Sequence, residues 1–87
     1  MMCKIEFKSS VFRDIKKLPK ETVKRIYKSI EKLQQDPFKG DIKKLNAAEF
    51  YFRLRVGDYR IVFQIITSDH IVIIYYIRHR KDVYSFL

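Results

Sequence analysis

The chain has 87 residues, which is expected to make one small domain, and its 47% hydrophobic content is sufficient for a single core. No apolar run approaches the roughly 20 residues of a membrane span, and the N-terminal MMCKIEFKSS lacks the apolar stretch of a signal peptide, so a cytoplasmic location is expected. One cysteine and two histidines are too few for a structural zinc site, no cofactor is expected, and the formal net charge of +9 favours a polyanionic partner such as nucleic acid.

Residues 1–8 predict a strand, because polar and apolar side chains alternate in the run KIEF. Ser9 or Ser10 can cap a helix that follows, in which apolar residues recur at helical spacing as far as Leu18. Pro19 is expected to end this helix, because the residue before a proline is biased away from the helical conformation. The chain is therefore predicted to begin with a strand and a short helix.

A second helix is predicted over about Lys20–Gln35, where apolar residues follow the spacing of one helical face. The two helices form a hairpin over residues 10–35, and the apolar stripe on each requires a sheet to cover. Residues 36–49 are expected to form a loop. In this loop, Lys43 and Lys44 could reach a nucleic-acid phosphate.

Residues 50–77 predict three consecutive strands. Gly57 and Asp58 separate two alternating runs, which indicates a two-residue hairpin, and this turn sets Arg55 opposite Arg60. One face of the hairpin then belongs to the core and carries Phe50, Phe52, Leu54, Ile61, Phe63 and Ile65. The other face carries Tyr51, Arg53, Arg55, Arg60, Val62 and Gln64.

The pair of Arg55 and Arg60 is a conflict within this hairpin. Like charges directly opposite each other destabilise a hairpin by a few tenths to about 1 kcal/mol, and neither arginine has an obvious acidic partner on its face. An unfavourable local interaction that no neighbouring group offsets is expected at a functional site. We therefore expect an anion to bind at this pair.

The strand at 71–77 is apolar on both faces, so it is predicted to be central in the sheet or covered on both sides. A three-residue connection at 68–70 sets Arg78 opposite Arg60, whereas a two-residue connection would turn Arg78 toward the core. The first register is preferred, because burial of an unpaired arginine is costly.

The type of basic residue changes along the chain. Residues 1–50 contain eleven Lys and two Arg, whereas residues 51–87 contain one Lys and five Arg. A guanidinium group binds phosphate oxygens in two-point contacts, so the second part is predicted to bind and the first to confer solubility. The alternative is that strands simply favour arginine as surface cover.

The segments RLRVGDYRIVFQI and IRHRKDVY resemble the RelE/ParE superfamily of toxin–antitoxin toxins, as does the K-x-L segment before them, Lys44 to Leu45 here. The resemblance covers nearly the whole chain and implies a single α+β domain over residues 1–87. In this fold, an N-terminal strand and a two-helix hairpin pack on a three- to four-stranded, mainly antiparallel sheet.

In the RelE branch, the resemblance further implies a ribosome-dependent endoribonuclease that cleaves mRNA in the A site. A ribose 2′-OH attacks the adjacent phosphorus and leaves a 2′,3′-cyclic phosphate. A cognate RelB-like antitoxin would neutralise the toxin by laying an acidic segment over its basic face in a hetero-oligomer.

The resemblance also implies site residues. By matching position, catalytic roles fall on Arg53, Arg60, Arg78, Arg80 and Tyr84, and the residues around them that are predicted to contact RNA are Lys43, Lys44, Tyr51, Arg55, His79 and Lys81. Guanidinium groups placed in advance would stabilise the charge that gathers on the phosphate oxygens, and loss of one such donor typically costs about 10²- to 10³-fold in rate. Tyr84 would stack on a base or orient the 2′-OH, with packing of the basic tail at 78–87 as the alternative.

The chain departs from the family where some relatives carry a pair of strand lysines, because Tyr51 and Arg53 stand there. Arginine is a poor general base, so the proton acceptor is unassigned. His79 is a candidate because histidine exchanges a proton near neutral pH, with a structural role as the alternative.

Two other functions remain open at this stage. One is a ParE-like toxin that inhibits DNA gyrase without cleaving RNA, and the other is a decayed toxin that only binds its antitoxin or RNA. The spacing of Arg80 and Tyr84 near the end of the chain favours the RNase branch.

Overall fold

The computed structural model describes residues 2–37, 39–46 and 51–81. The predicted core residue Phe50 and the predicted site residue Tyr84 lie outside these ranges. In chain order the elements are β1 (Lys4–Phe7), α1 (Ser9–Lys16), α2 (Lys20–Gln35), β2 (Ile42–Asn46), β3 (Tyr51–Val56), β4 (Tyr59–Ile66), a 3-10 turn (Thr67–Asp69) and β5 (Ile71–His79). No helix in the described ranges is long and apolar enough to cross a membrane.

The first helix starts without the predicted serine cap. Its N-cap residue is Lys8, whose side chain makes no capping hydrogen bond, so that prediction is wrong. The Ser10 hydroxyl instead donates to the carbonyl oxygen of Tyr75, 2.5 Å away on the sheet. The second helix occupies the predicted range, and the extended backbone of Pro19 precedes it.

The sheet has five strands in the order β1-β5-β4-β3-β2, one more than the largest number expected. The difference is β2, which lies in the range 36–49 that was predicted to be a loop and pairs antiparallel with β3. Its sequence, IKKLN, has few apolar residues because β2 is an edge strand, where lysines are common. At the opposite edge, β1 pairs in parallel with β5, while every other pairing is antiparallel.

The hairpin of β3 and β4 has the predicted register. Gly57, with φ of 59°, and Asp58 form the turn, and Arg55 pairs with Arg60. The residues expected on the core side that are buried are Leu54, Ile61, Phe63 and Ile65. Val62, on the opposite face, is buried as well, with only 4% of its surface exposed.

The strand β5 is central, as predicted, and lies between β1 and β4. It ends at His79 rather than near residue 77. Its buried residues are Val72, Ile74 and Ile77. The arginine that follows Ile77 is therefore part of the strand and not of a tail beyond it.

The predicted pairing of Arg60 with Arg78 is present, but the connection that produces it differs from the expected one. Four residues, 67–70, connect β4 to β5 instead of three, which by itself would place Arg60 opposite Ile77. A β-bulge adds one residue to β5 at Tyr75 and shifts the remaining pairs by one position. Arg78 consequently faces Arg60, in the register that keeps its charge out of the core.

The core lies between the two helices and one face of the sheet. Its helical residues are Val11, Ile26, Ile30 and Leu33, and they pack on the buried residues of β3, β4 and β5. Within the described ranges, one charged side chain is buried: Asp14 on α1, which is 8% exposed. A buried carboxylate requires partners, and these lie at the candidate site.

Candidate nucleic-acid interface

Three arginines lie side by side on the three inner strands of the sheet, one residue pair from the β3–β4 turn and on the face away from the helices. Cross-strand pairing places Arg55 opposite Arg60 and Arg60 opposite Arg78. Neighbouring strands are roughly 5 Å apart, so the three arginine side chains leave the backbone within a short distance of one another. We call this surface the outer face; its other described members are Lys4, Glu6, Lys43, Tyr51, Arg53, Val62, Gln64, Ile66, Ile71, Ile73, Tyr75 and Tyr76.

The first arginine of this row has an acidic neighbour. The Nε atom of Arg55 lies 3.9 Å from an oxygen of Asp41, a residue just before β2, so the expectation that this pair of arginines has no acidic partner is wrong. Both side chains are more than half exposed, which makes this a weak ion pair. Arg60 donates to the carbonyl oxygens of Gly57 at 3.0 Å and Tyr59 at 3.1 Å. These bonds hold the Arg60 guanidinium against the hairpin turn.

The third arginine is held by the buried carboxylate. Asp14 forms an ion pair with Arg78, and its other oxygen accepts a hydrogen bond from the backbone N–H of Ile77 at 3.0 Å. The Arg78 guanidinium also lies 5.0 Å from the centre of the Tyr76 ring. Asp14 was not singled out in the sequence, although an acidic residue on the apolar stripe of a helix is a signal that could have identified it.

A fourth arginine lies one row away. Arg53 pairs opposite Val62, and its side chain is only 14% exposed. It donates to the carbonyl oxygen of Asp41 at 3.2 Å and to the Asp41 carboxylate at 3.3 Å. Its Nε atom is buried and has no hydrogen-bond partner within the described part of the chain. Lys43, the cross-strand neighbour of Arg53 on β2, is exposed.

Tyrosine side chains cover the outer face beside the arginines. The rings of Tyr51 and Tyr75 meet edge to face, with 5.2 Å between their centres, and the Tyr75 hydroxyl donates to Gln64 at 3.1 Å. Because of the bulge, Tyr75 and Tyr76 follow one another on the same face. Sequence reasoning missed both, because the strand at 71–77 read as uniformly apolar.

The structure separates some predicted site residues from the arginine row. Strand alternation places His79 and Lys44 on the side of the sheet that faces the helices, and the His79 ring packs edge to face on Tyr59, with 5.5 Å between centres. Arg80 and Lys81 are exposed beyond the end of β5. The backbone N–H of Arg80 donates to the carbonyl oxygen of Asp58 at 2.7 Å. Arg80 and Lys81 therefore lie close to the turn of the β3–β4 hairpin.

The chemistry of the outer face follows from these side chains. Guanidinium groups can form two-point contacts with phosphate oxygens, and tyrosine rings can stack on bases. Among residues 2–37, 39–46 and 51–81, no three His, Cys, Asp or Glu side chains are grouped so that they could hold a metal ion. The face is therefore suited to binding a nucleic-acid strand through its phosphates and bases.

Comparison with known proteins identifies the class to which this fold belongs. A family model described as "ParE toxin of type II toxin-antitoxin system, parDE" matches residues 5–84. Toxin RelE3 of Methanocaldococcus jannaschii is 33% identical over 87 residues, covering 95% of this chain and 97% of that protein. The chain belongs to the RelE/ParE superfamily of toxin–antitoxin toxins, as its sequence indicated.

Solved structures agree with this assignment. A RelB–RelE antitoxin–toxin complex from Methanococcus jannaschii contains a chain that matches with a TM-score of 0.75 and 32% identity over 94% of this chain and 98% of that one. An archaeal RelE–RelB complex from Pyrococcus horikoshii OT3 matches with a TM-score of 0.81 and 25% identity, covering 92% and 97%. The predicted α+β class of helices on a mainly antiparallel sheet is confirmed.

Proposed function

We propose that this toxin is an endoribonuclease that cleaves mRNA in the ribosomal A site. The observation that carries the proposal is the row of Arg55, Arg60 and Arg78 beside a cluster of tyrosines on one face of the sheet. The row supplies positive charge at a spacing that suits phosphate oxygens, and the tyrosines supply surfaces for bases. Similarity to proteins named RelE toxins supports the same activity.

In the proposed reaction, a ribose 2′-OH attacks the adjacent phosphorus and the 5′-oxygen leaves, which yields a 2′,3′-cyclic phosphate. Negative charge gathers on the non-bridging oxygens during this step, and Arg60, at the centre of the row, would stabilise it. Arg78 would add a second guanidinium, oriented by Asp14. Arg53, Arg80 and Tyr84 are assigned supporting catalytic roles from the family pattern. Tyr51, Arg55, Lys43 and Lys81 would hold the flanking RNA.

The proposed partner in the resting state is a cognate RelB-like antitoxin. Both similar archaeal structures are complexes of RelE with RelB. An acidic segment of the antitoxin would compete with RNA phosphates for the same arginines. Release of the antitoxin would then expose the outer face to mRNA on the ribosome.

A second candidate is inhibition of DNA gyrase without RNA cleavage. The observation that favours it is the matching family model, which is named for ParE toxins. In that case the basic face would contact gyrase instead of a scissile phosphate. The two functions can be distinguished directly, because only the first produces cleaved mRNA.

The deciding experiment maps mRNA 5′ ends on translating ribosomes after induction of the toxin, with and without its antitoxin. We expect cuts in the A site that fall by about 10²- to 10³-fold in Arg60→Ala and recover only in part in Arg60→Lys, because lysine keeps the charge but not the two-point contact. Arg13→Ala, an exposed arginine on α1, is the matched control and should cut normally. Intact mRNA together with inhibited supercoiling by gyrase would favour the second candidate.

A further inference from the structure

An open cavity of about 320 Å³ lies between α2 and the turn of the β3–β4 hairpin, away from the centre of the arginine row. Four of its lining residues are cationic, and they come from two separate elements: Arg25, Lys28 and Lys32 from α2, and Arg55 from β3. Val56 and Gly57 complete the hairpin side. The cavity is thus a concave basic surface at the end of the sheet.

The three helical cations lie on one face of α2, because residues three and four positions apart in a helix are neighbours. Like charges at such spacings destabilise a helix by about 0.2–0.5 kcal/mol per pair. None of the ion pairs within the described residues involves Arg25, Lys28 or Lys32. Acidic residues lie one helical turn away, Glu21 from Arg25 and Asp36 from Lys32, but within the described residues neither forms an ion pair with these cations. Cations that keep their mutual repulsion in this way are expected where an external anion binds.

The glycine of the hairpin turn brings the two parts of the cavity together. A Cβ atom at position 57 would lie 3.2 Å and 3.3 Å from the two terminal nitrogens of Arg25. The guanidinium therefore lies directly on the turn, in space that a side chain would occupy. This contact connects the cations of α2 with Arg55, which also begins the arginine row of the outer face.

We propose that this cavity binds the phosphate backbone of an RNA strand, as a second contact site that continues the outer face around the end of the hairpin. Asp41 is near Arg55 alone among the four cations and is 57% exposed, so it offsets little of their charge. The lining includes one aliphatic side chain, Val56, and no aromatic one, whereas peptides that dock on proteins depend on buried apolar anchors. RNA phosphates fit this chemistry better than an acidic peptide does.

The proposal extends the proposed action on RNA, but it is tested by binding, without cleavage. The full-length chain carries Arg60→Ala in every sample so that the RNA stays intact. A labelled single-stranded RNA oligonucleotide is titrated by fluorescence anisotropy at a series of salt concentrations. The cavity variant is Arg25→Gln/Lys28→Gln/Lys32→Gln, and the matched control, Lys16→Gln/Lys17→Gln/Lys20→Gln, removes the same charge from exposed lysines of the helical hairpin that line neither the cavity nor the outer face.

Each phosphate contact contributes about 0.7 to the slope of log K against log salt for a single strand, so loss of three contacts lowers the slope by about 2. We expect this decrease in the cavity variant and a much smaller one in the control. Equal decreases in both variants would overturn the proposal, because they would show that only net charge matters. An unchanged RNA slope together with lost binding of a glutamate-rich peptide would also overturn it, in favour of a protein partner.

The two proposals can fail separately. Cleaved mRNA with no difference between the cavity variant and the control would reject the cavity and leave the nuclease. Uncleaved mRNA with the expected difference in slope would reject the nuclease and leave the cavity as an RNA-binding site. Thermal unfolding of both triple variants confirms that their folds are intact, as expected for exposed positions.

Discussion

Asp14 on α1 is paired with Arg78 on β5, and the same carboxylate accepts the backbone N–H of Ile77 at 3.0 Å. The strand β1 pairs with β5 only as far as Ile74, and within residues 2–37, 39–46 and 51–81 no other strand lies beside the rest of that edge of β5. Side chains of helix α1 bond the backbone groups on this part of the edge instead. The Ser10 hydroxyl donates to the carbonyl oxygen of Tyr75, and the Asp14 carboxylate accepts from the N–H of Ile77. Helix α1 thus provides hydrogen-bond partners for backbone groups at the edge of the sheet, and it also orients Arg78 on the outer face.

Replacement of Asp14 should destabilise the fold. In Asp14→Ala, the Arg78 guanidinium and the N–H of Ile77 both lose the Asp14 carboxylate, and we expect the free energy of unfolding to fall by about 2–3 kcal/mol. Asp14→Asn should cost less, about 1–2 kcal/mol, because the amide oxygen can still accept the backbone hydrogen bond. Urea unfolding measures both values. A loss below about 0.5 kcal/mol in the alanine variant, the range of ordinary surface changes, would contradict this role.

The two serines at the start of α1 should respond differently to alanine. Ser10→Ala removes the hydrogen bond to the sheet and is expected to cost about 1 kcal/mol. Ser9→Ala should be neutral or slightly stabilising, because Ser9 is exposed and is not the cap, and alanine favours a helix. Urea unfolding of the two variants under the same conditions provides the comparison. A larger loss at Ser9 than at Ser10 would restore the serine cap that the sequence predicted.

Removal of the acidic residue near the arginines should strengthen RNA binding. Asp41 neighbours Arg53 and Arg55 but is 57% exposed, so Asp41→Asn should change the stability by less than about 1 kcal/mol. The freed arginines should tighten binding of a single-stranded RNA and raise the salt slope by up to about 0.7 for each new phosphate contact. Asp69→Asn, an exposed residue in the turn before β5, gives the same change in net charge as a control. Weaker RNA binding in Asp41→Asn would show that Asp41 orients the arginines for RNA instead of competing with it.

Tyr75, the extra residue of the β-bulge, should contribute to RNA binding through its aromatic ring. Tyr75→Ala removes the surface that packs on Tyr51, and loss of one base-stacking contact, about 1–3 kcal/mol, weakens RNA binding by roughly 5- to 150-fold. Tyr75→Phe loses only the hydroxyl bond to Gln64 and should bind RNA almost normally. Tyr27→Ala, an exposed tyrosine on α2, is the control for a general loss of aromatic surface. Anisotropy titrations compare all three, and equal losses in the alanine and phenylalanine variants would argue against stacking.

The candidate site was only partly predictable from the sequence. The positions of Arg55 and Arg60 followed from the hairpin, whereas the acid beside Arg55 did not, because Asp41 belongs to a segment that read as a loop. His79 is next to Arg78 in the chain but on the opposite side of the sheet, since successive residues of a strand alternate faces. Asp14 is 64 residues away from Arg78 along the chain, and no local pattern relates two such positions.

The sequence by itself determined the elements whose signals are local. The helix Lys20–Gln35 repeats one apolar face, and the turn at Gly57 and Asp58 fixes every pair of the β3–β4 hairpin, because a two-residue turn leaves a single register. Tertiary structure decided the rest. The edge strand Ile42–Asn46 exists because β3 offers it backbone partners, and the bulge at Tyr75 exists because a four-residue connection would otherwise turn Arg78 into the core. The edge strand and the bulge both depend on pairing between segments that are distant in the sequence. The free energy of the whole fold selects such pairings, and no short stretch of sequence encodes them.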